Sequence, residues 1–270
     1  MDQTQILSGK VALITGGGGV LGSAMALNLA KNGAIVGVLG RTIDKLEVIV
    51  KKIQNEGGQA FALQADVLNQ EDLEKAKHFI LEKHNRLDIL INAAGGNIPG
   101  AIVTPEQDFF NANPDDLQKV VNLNIMGTIL PSKVFSAIFA KQKSGVIINI
   151  SSPTADRPLT RVVGYSASKA AVDNFTRWLA VEMASKYGEG IRVNAISPGF
   201  FIGEQNRALL LTPEGNLTPR GESIISHTPM GRFGTPDDIQ GTLLWMCSDA
   251  SKFVTGIVVH IDGGFGAKSI

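Results

Sequence analysis

A single α/β domain built on one doubly wound parallel sheet is the architecture this chain calls for, and three observations say so. Short apolar runs rich in strand formers recur along the whole length. Stretches of helical length separate them. The first run passes at once into an oligoglycine turn that opens a helix. Strands alternating with helices give parallel neighbours joined by crossovers, and such a sheet is covered on both faces. The 270 residues suit one domain, 1–270, with about seven strands and helices on both faces.

Taken in order, the expected strands are 11–15, 35–39, 60–64, 89–92, 146–150, 192–196 and 257–261. Several are continuously apolar, as strands buried on both faces are. The expected helices begin with 24–32, closed by Gly33 as a C-terminal glycine. Helix 42–56 has Thr42 as its cap and ends at Gly57-Gly58, and helix 69–84 starts at an Asn cap. Helix 115–139 is long and carries Pro131, which predicts a kink. Helices 165–186 and 236–248 complete the set. Residues 200–234 break the alternation with a long polar insertion that has no clear strand. A segment of that length inside a compact domain is usually functional, and here it reads as a substrate lid.

Bulk properties narrow the function. Hydrophobic residues make up 44% and charged residues 19%, enough apolar mass for a core and too little charge for disorder. Lys+Arg and Asp+Glu balance at 25 each, which argues against nucleic acid or an anionic membrane as partner. Residues 1–10 show no secretory pattern, and no apolar stretch looks long enough to span a bilayer, so a cytoplasmic location is expected. The lone Cys247 sits in Leu243-Leu244-Trp245-Met246-Cys247, a packing context rather than a nucleophile's. The four histidines are scattered without zinc spacing, so no metal site is expected.

Two constellations carry chemistry. Thr15-Gly16-Gly17-Gly18-Gly19-Val20-Leu21-Gly22 follows the first strand directly. Glycines let the backbone turn sharply and approach a pyrophosphate, and the helix start offers free N–H groups and a positive dipole end. Val20 is poor at positive φ, so it should begin the helix while Gly17–Gly19 make the turn. The second constellation is Tyr165 four residues before Lys169, with Ser152 at the end of an apolar run thirteen residues upstream of Tyr165. Positions i and i+4 share a helix face. A Tyr-x-x-x-Lys pair alone is weak; a dinucleotide site elsewhere in the chain gives it meaning.

These motifs together resemble the short-chain dehydrogenase/reductase family, whose fold is Rossmann-like. The matches run in family order: the glycine turn, Asp66-Val67, Asn92-Ala93-Ala94-Gly95, Asn124, Ser152, Tyr165 with Lys169, Pro198-Gly199 and Asp262-Gly263-Gly264. Within the family, Arg157-Pro158-Leu159-Thr160-Arg161, Glu204-Gln205-Asn206-Arg207 and the segment from His227 to Gly234 are most similar to the branch that interconverts D-fructuronate and D-mannonate.

The resemblance implies a catalytic set of Asn124, Ser152, Tyr165 and Lys169. Tyr165 would be the acid in carbonyl reduction and the base in alcohol oxidation. The Lys169 ammonium would lower the phenol's pKa and bind the nicotinamide ribose. Ser152 would donate to the substrate oxygen, and Asn124 would hold a water linking the lysine to solvent. The implied cofactor site comprises Gly16, Gly18, Gly19, Val20, Leu21, Gly22, Arg41, Asp66, Val67, Asn92, Ala93, Gly95, Pro198 and Gly199, with Tyr165 and Lys169. A homotetramer is implied as well.

At the second strand's end, Gly40 stands where an acid would bind the adenosine ribose, and Arg41 follows. That favours NADP over NAD, since a guanidinium matches a phosphate. For the substrate, Arg157, Arg161, Gln205, Arg207, Arg220 and His227 supply donors and cations suited to a sugar acid; Ser152, Arg157, Gln205 and Arg207 come first. Each arginine is equally at home in a surface ion pair or a subunit contact. The competing functions are reduction of 5-ketogluconate or of a 3-oxoacyl thioester, and a non-catalytic dinucleotide sensor.

Overall fold

The computed structural model describes residues 5–157, 159–203 and 206–268. Among them, seven strands form one parallel sheet: β1 Val11–Thr15, β2 Ile35–Gly40, β3 Gln59–Gln64, β4 Ile89–Asn92, β5 Gly145–Ile150, β6 Ile191–Pro198 and β7 Val258–Ile261. Their spatial order is β3-β2-β1-β4-β5-β6-β7. The strand order reverses at β1, which pairs with β2 on one side and β4 on the other. Ligands of open α/β sheets bind outside the strand ends at such a switch point. Thr15 and Asn92, paired in register, mark that edge.

The helices are α1 Val20–Lys31, α2 Ile43–Asn55, α3 Gln70–His84, α4 Pro114–Val121, α5 Gly127–Gln142, α6 Val163–Tyr187, α7 Arg207–Leu210, α8 Pro219–His227 and α9 Pro236–Cys247. Strand alternation sends Ala12 and Ile14 to one face, where they join Met25 and Leu29 of α1, Leu46 of α2 and Leu243 of α9. Val11 and Leu13 face the other side, with Leu73 of α3, Phe135 of α5 and Met183 of α6. Two cores, one per face, are the physical content of double winding.

Three expectations need correction. Helix α5 runs through Pro131 without ending there, and the irregularity lies earlier, in a π-helical turn at Asn122–Met126. Asn124 accounts for it: its Nδ2 donates to the Val120 carbonyl at 2.8 Å, competing with the backbone for that acceptor. Second, the continuous helix Pro114–Gln142 is long and apolar enough to cross a membrane by length and composition, with a mean hydropathy of 1.4 over its most apolar window. The turn that splits it is invisible to a scan for apolar runs. Its Val134, Phe135, Ile138 and Phe139 are buried against the sheet. Third, residues 200–234 have no strand among their described residues, but they carry two helices that the expected set lacks, α7 and α8. Thr218 caps α8 by accepting from Gly221 N at 3.1 Å, and Pro219 occupies its first position.

Candidate active site

The glycine turn folds as its sequence demands. Gly16 has φ +65°, and a Cβ there would lie 2.7 Å from Ala94 N and 2.8 Å from the Ala93 carbonyl. The turn therefore presses on the loop that leaves β4, and Thr15 Oγ1 accepts from Ala94 N at 3.2 Å to hold the two together. Helix α1 begins at Val20 with Gly19 as its N-cap, as the β-branched side chain requires. No side chain caps its first turn, so those N–H groups face outward for an anion. The donor set, in a turn that Gly16 and Gly22 allow to close tightly on its own backbone, fits a dinucleotide pyrophosphate.

Other cofactor residues divide between side chain and backbone. Asn92 is 1% exposed, and its Nδ2 donates to Ser132 Oγ at 2.9 Å and Asn149 Oδ1 at 2.8 Å. Its side chain braces β4 against β5 and α5. Val67 is likewise buried, against the position of Gly127. Asp66 Oδ1 accepts from Leu68 N at 2.9 Å, an Asx turn at the end of β3. Arg41 is exposed just beyond β2, and its carbonyl accepts from Gln64 Nε2 at 3.0 Å. At the far side, Gly199 N donates to the Ile261 carbonyl at 2.9 Å, fixing Pro198-Gly199 at the same sheet edge.

Asn124 is fully buried. It clamps the loop after β4 from both sides: Oδ1 accepts from Gly96 N at 3.0 Å and Nδ2 donates to the Gly96 carbonyl at 2.7 Å. A side chain at Gly95 would collide with Asn124 Oδ1 at 2.7 Å and approach Lys169 Nζ at 3.5 Å. The clamp thus lies directly beside the lysine.

Ser152, Tyr165 and Lys169 converge at the carboxyl end of β5. Ser152 Oγ accepts from Thr154 N at 3.3 Å, and its hydroxyl faces the Tyr165 phenol. Lys169 Nζ donates to the Ile150 carbonyl at 2.7 Å and lies 5.4 Å from the centre of the Tyr165 ring. The expected lowering of the Tyr165 pKa by Lys169 is not what this arrangement gives. Burial raises the phenol above its ordinary value, opposed by the hydrogen bond with Ser152. The lysine is held at a backbone carbonyl over the ring rather than at the phenol oxygen. It is itself lowered to about 8 by burial, with the Asp173 charge acting against that fall.

The substrate side departs further from expectation. Arg157 Nη1 donates to the Lys268 carbonyl at 2.5 Å, and Lys268 Nζ to the Ser226 carbonyl at 2.5 Å. Arg157 thus ties the C-terminal segment to the loop after β5 with one of its donors. Through Lys268 that segment reaches α8, and Phe265 meets Phe200 edge-on at 5.1 Å. Gln205 and Glu204 lie outside the described residues. Arg207 opens α7 and is exposed, while His227 Nδ1 contacts the Ser223 carbonyl within its own helix.

Arg161 and Arg220 supply the signal that the sequence ranking missed. Arg220, on the first turn of α8, has its pKa lowered by burial and by the charge of Arg161. Arg161 adopts φ +77°, a left-handed conformation that costs a non-glycine residue about 1–2 kcal/mol, and its carbonyl accepts from Val103 N at 2.9 Å. Two guanidiniums near enough to repel are a feature to be explained. A cavity of about 450 Å³ also borders Arg161, but it opens along Val163, Ser166 and Ala167, on a face of α6 turned from Tyr165 and Lys169.

A dinucleotide turn, a phenol beside a serine hydroxyl and a buried lysine at one sheet edge define a nicotinamide-dependent oxidoreductase. The chain belongs to the short-chain dehydrogenase family, which it matches over residues 10–210. It is 48% identical over 272 residues to the oxidoreductase UxuB of Bacillus subtilis (strain 168), covering 97% of each chain. A crystal structure from Haemophilus influenzae with bound NAD, provisionally described as a D-mannonate oxidoreductase, is 40% identical, covers 97% of each chain and superposes with a TM-score of 0.92. A gluconate 5-dehydrogenase from Burkholderia cenocepacia J2315, in complex with NADP and tartrate, is 28% identical, covers 98% of each chain and has a TM-score of 0.87. The protein is an NAD(P)-dependent oxidoreductase acting on CH–OH groups.

Proposed function

We propose that this enzyme interconverts a keto-sugar acid and its alcohol, D-fructuronate and D-mannonate before others. The observation that carries the chemistry is the meeting of Ser152, Tyr165 and Lys169 beside the Ile150 carbonyl. Bound nicotinamide supplies the hydride in reduction and takes it up in oxidation. Tyr165, kept protonated by burial, gives its proton to the carbonyl oxygen, and Ser152 donates a hydrogen bond to the same atom as negative charge grows there. Lys169, charged and buried against the ring, stabilises the phenolate that remains. Asn124 acts through the loop, fixing Gly95–Gly96 beside the lysine.

The substrate class follows from charge. Arg161 and Arg220 lie near enough to repel, Glu106 is the described carboxylate that acts on Arg161, and a substrate carboxylate would relieve the repulsion between the two guanidiniums. The sugar-acid names of two structural relatives support the same class. Residues 200–234 serve as the lid: Gly234 N donates to the Phe200 carbonyl at 2.8 Å, so the excursion leaves and returns at one point. Arg41 without an acid at Gly40 favours NADP. Trp178 and Val181, exposed on α6, suit burial in a homotetramer.

A steady-state panel tests the reading: fructuronate, mannonate, 5-ketogluconate and a 3-oxoacyl thioester, each with NAD(H) and NADP(H). The uronate pair should give the highest kcat/KM. A preference for the thioester would remove the sugar-acid claim, and cofactor binding without turnover of any of these would make the protein a sensor.

A further inference from the structure

We propose that Asp173 is a positioning residue for Lys169: a buried carboxylate one turn further along α6 that keeps the lysine charged and seated under Tyr165. Asp173 is 2% exposed, and both carboxylate oxygens are enclosed without a hydrogen-bond partner. Ser151, the neighbour of Ser152, turns its hydroxyl towards the carboxylate, and its Oγ is enclosed as well. A carboxylate kept for structure closes hydrogen bonds, because an enclosed anion without them is costly. Ser151 alone offers this one a hydroxyl, and it sits beside the residues that do the chemistry.

Burial raises the Asp173 carboxyl above its ordinary value, and the charges that act on it are few. Lys169 and Arg177 reach it from α6, Asp156 from the segment after β5 and His260 from β7. Asp156 and His260 are occupied with each other at 3.3 Å, and both side chains are substantially exposed. Lys169 is the buried cation of the group, at 4% exposure, and its Ile150 acceptor is neutral. An ammonium enclosed this far needs an opposite charge in reach to stay charged near neutral pH, and residue i+4 on the same helix face provides it.

The inference rests on the reading that Lys169 works as an ammonium beneath Tyr165, and the experiment separates the two. Removing the Asp173 charge lowers the lysine's affinity for its proton, so the ammonium is lost at lower pH. In Asp173→Asn, the alkaline limb of kcat/KM for reduction should move down by about one pH unit. The loss should be small below the limb and reach about tenfold above it. Apo-protein thermal unfolding at pH 7 should be unchanged or higher, since a buried, unsatisfied carboxylate has gone. An unmoved limb with a lowered Tm would make Asp173 a structural anchor and overturn the proposal. Asp173→Ser is the second variant should the amide not fold, and failure of both to fold also overturns it. Tyr165→Phe and Lys169→Met run alongside. If they keep their rate, the catalytic reading itself fails. If they are inactive while Asp173→Asn follows the wild-type profile, only the role of Asp173 fails.

Discussion

Lys169 gives its Nζ hydrogen to the carbonyl of Ile150 at 2.7 Å, and so the catalytic strand's own last residue holds the lysine against the Tyr165 ring. The anchoring bond is to backbone, so it survives whatever the phenol does. It also takes the ammonium out of water, which is why its pKa falls to about 8.

That fall has a visible consequence. The ammonium is present below about pH 8 and is lost as pH rises through that value. Reduction of the carbonyl should therefore lose kcat/KM above about pH 8, by about tenfold per unit where the lysine alone limits. A pH–rate profile of the wild type checks it. A profile flat to pH 10 would mean that the lysine's charge is not required.

Gly16 is held at φ +65° with Ala93 and Ala94 against it. Gly16→Ala should weaken NAD(P) binding by at least about tenfold, since the new methyl must push the turn or the loop after β4 apart. Fluorescence titration with the reduced cofactor reads this directly. The Gly57 position, also at positive φ but with open space around it, is the control: Gly57→Ala should leave cofactor affinity unchanged.

Arg220 is proposed to meet the substrate carboxylate together with Arg161. Arg220→Ala should raise KM for an acid substrate by about tenfold or more, with a smaller change in kcat. Affinity for the cofactor should stay the same. An unchanged KM would move the carboxylate site elsewhere in the lid.

Much of this was legible before any coordinates. The strand–turn–helix at Val11 to Lys31 is written in local steric rules, and Val20 opens its helix because a β-branched residue avoids the turn's positive φ. The i, i+4 spacing placed Tyr165 and Lys169 on one face, and strand ends brought Ser152 to them. What the sequence withheld depends on distant partners. Arg157 looked like a free cation until Lys268 took it, a contact 111 residues away. Arg161 and Arg220 feel each other's charge across 59 residues of chain, which no local pattern announces. The phenol's pKa could not be read from motif spacing, because burial, not sequence distance, sets its sign. The helices of the lid were the avoidable omission, as Thr218-Pro219 is a readable helix start.

The central claim is that a phenol transfers the proton while the cofactor site stands independently of it. Tyr165→Phe, assayed with fructuronate and reduced cofactor, tests that division in one protein. The account predicts a fall in kcat of at least about a thousandfold, with the cofactor dissociation constant within about threefold of wild type. A phenylalanine variant that keeps most of its turnover would contradict it.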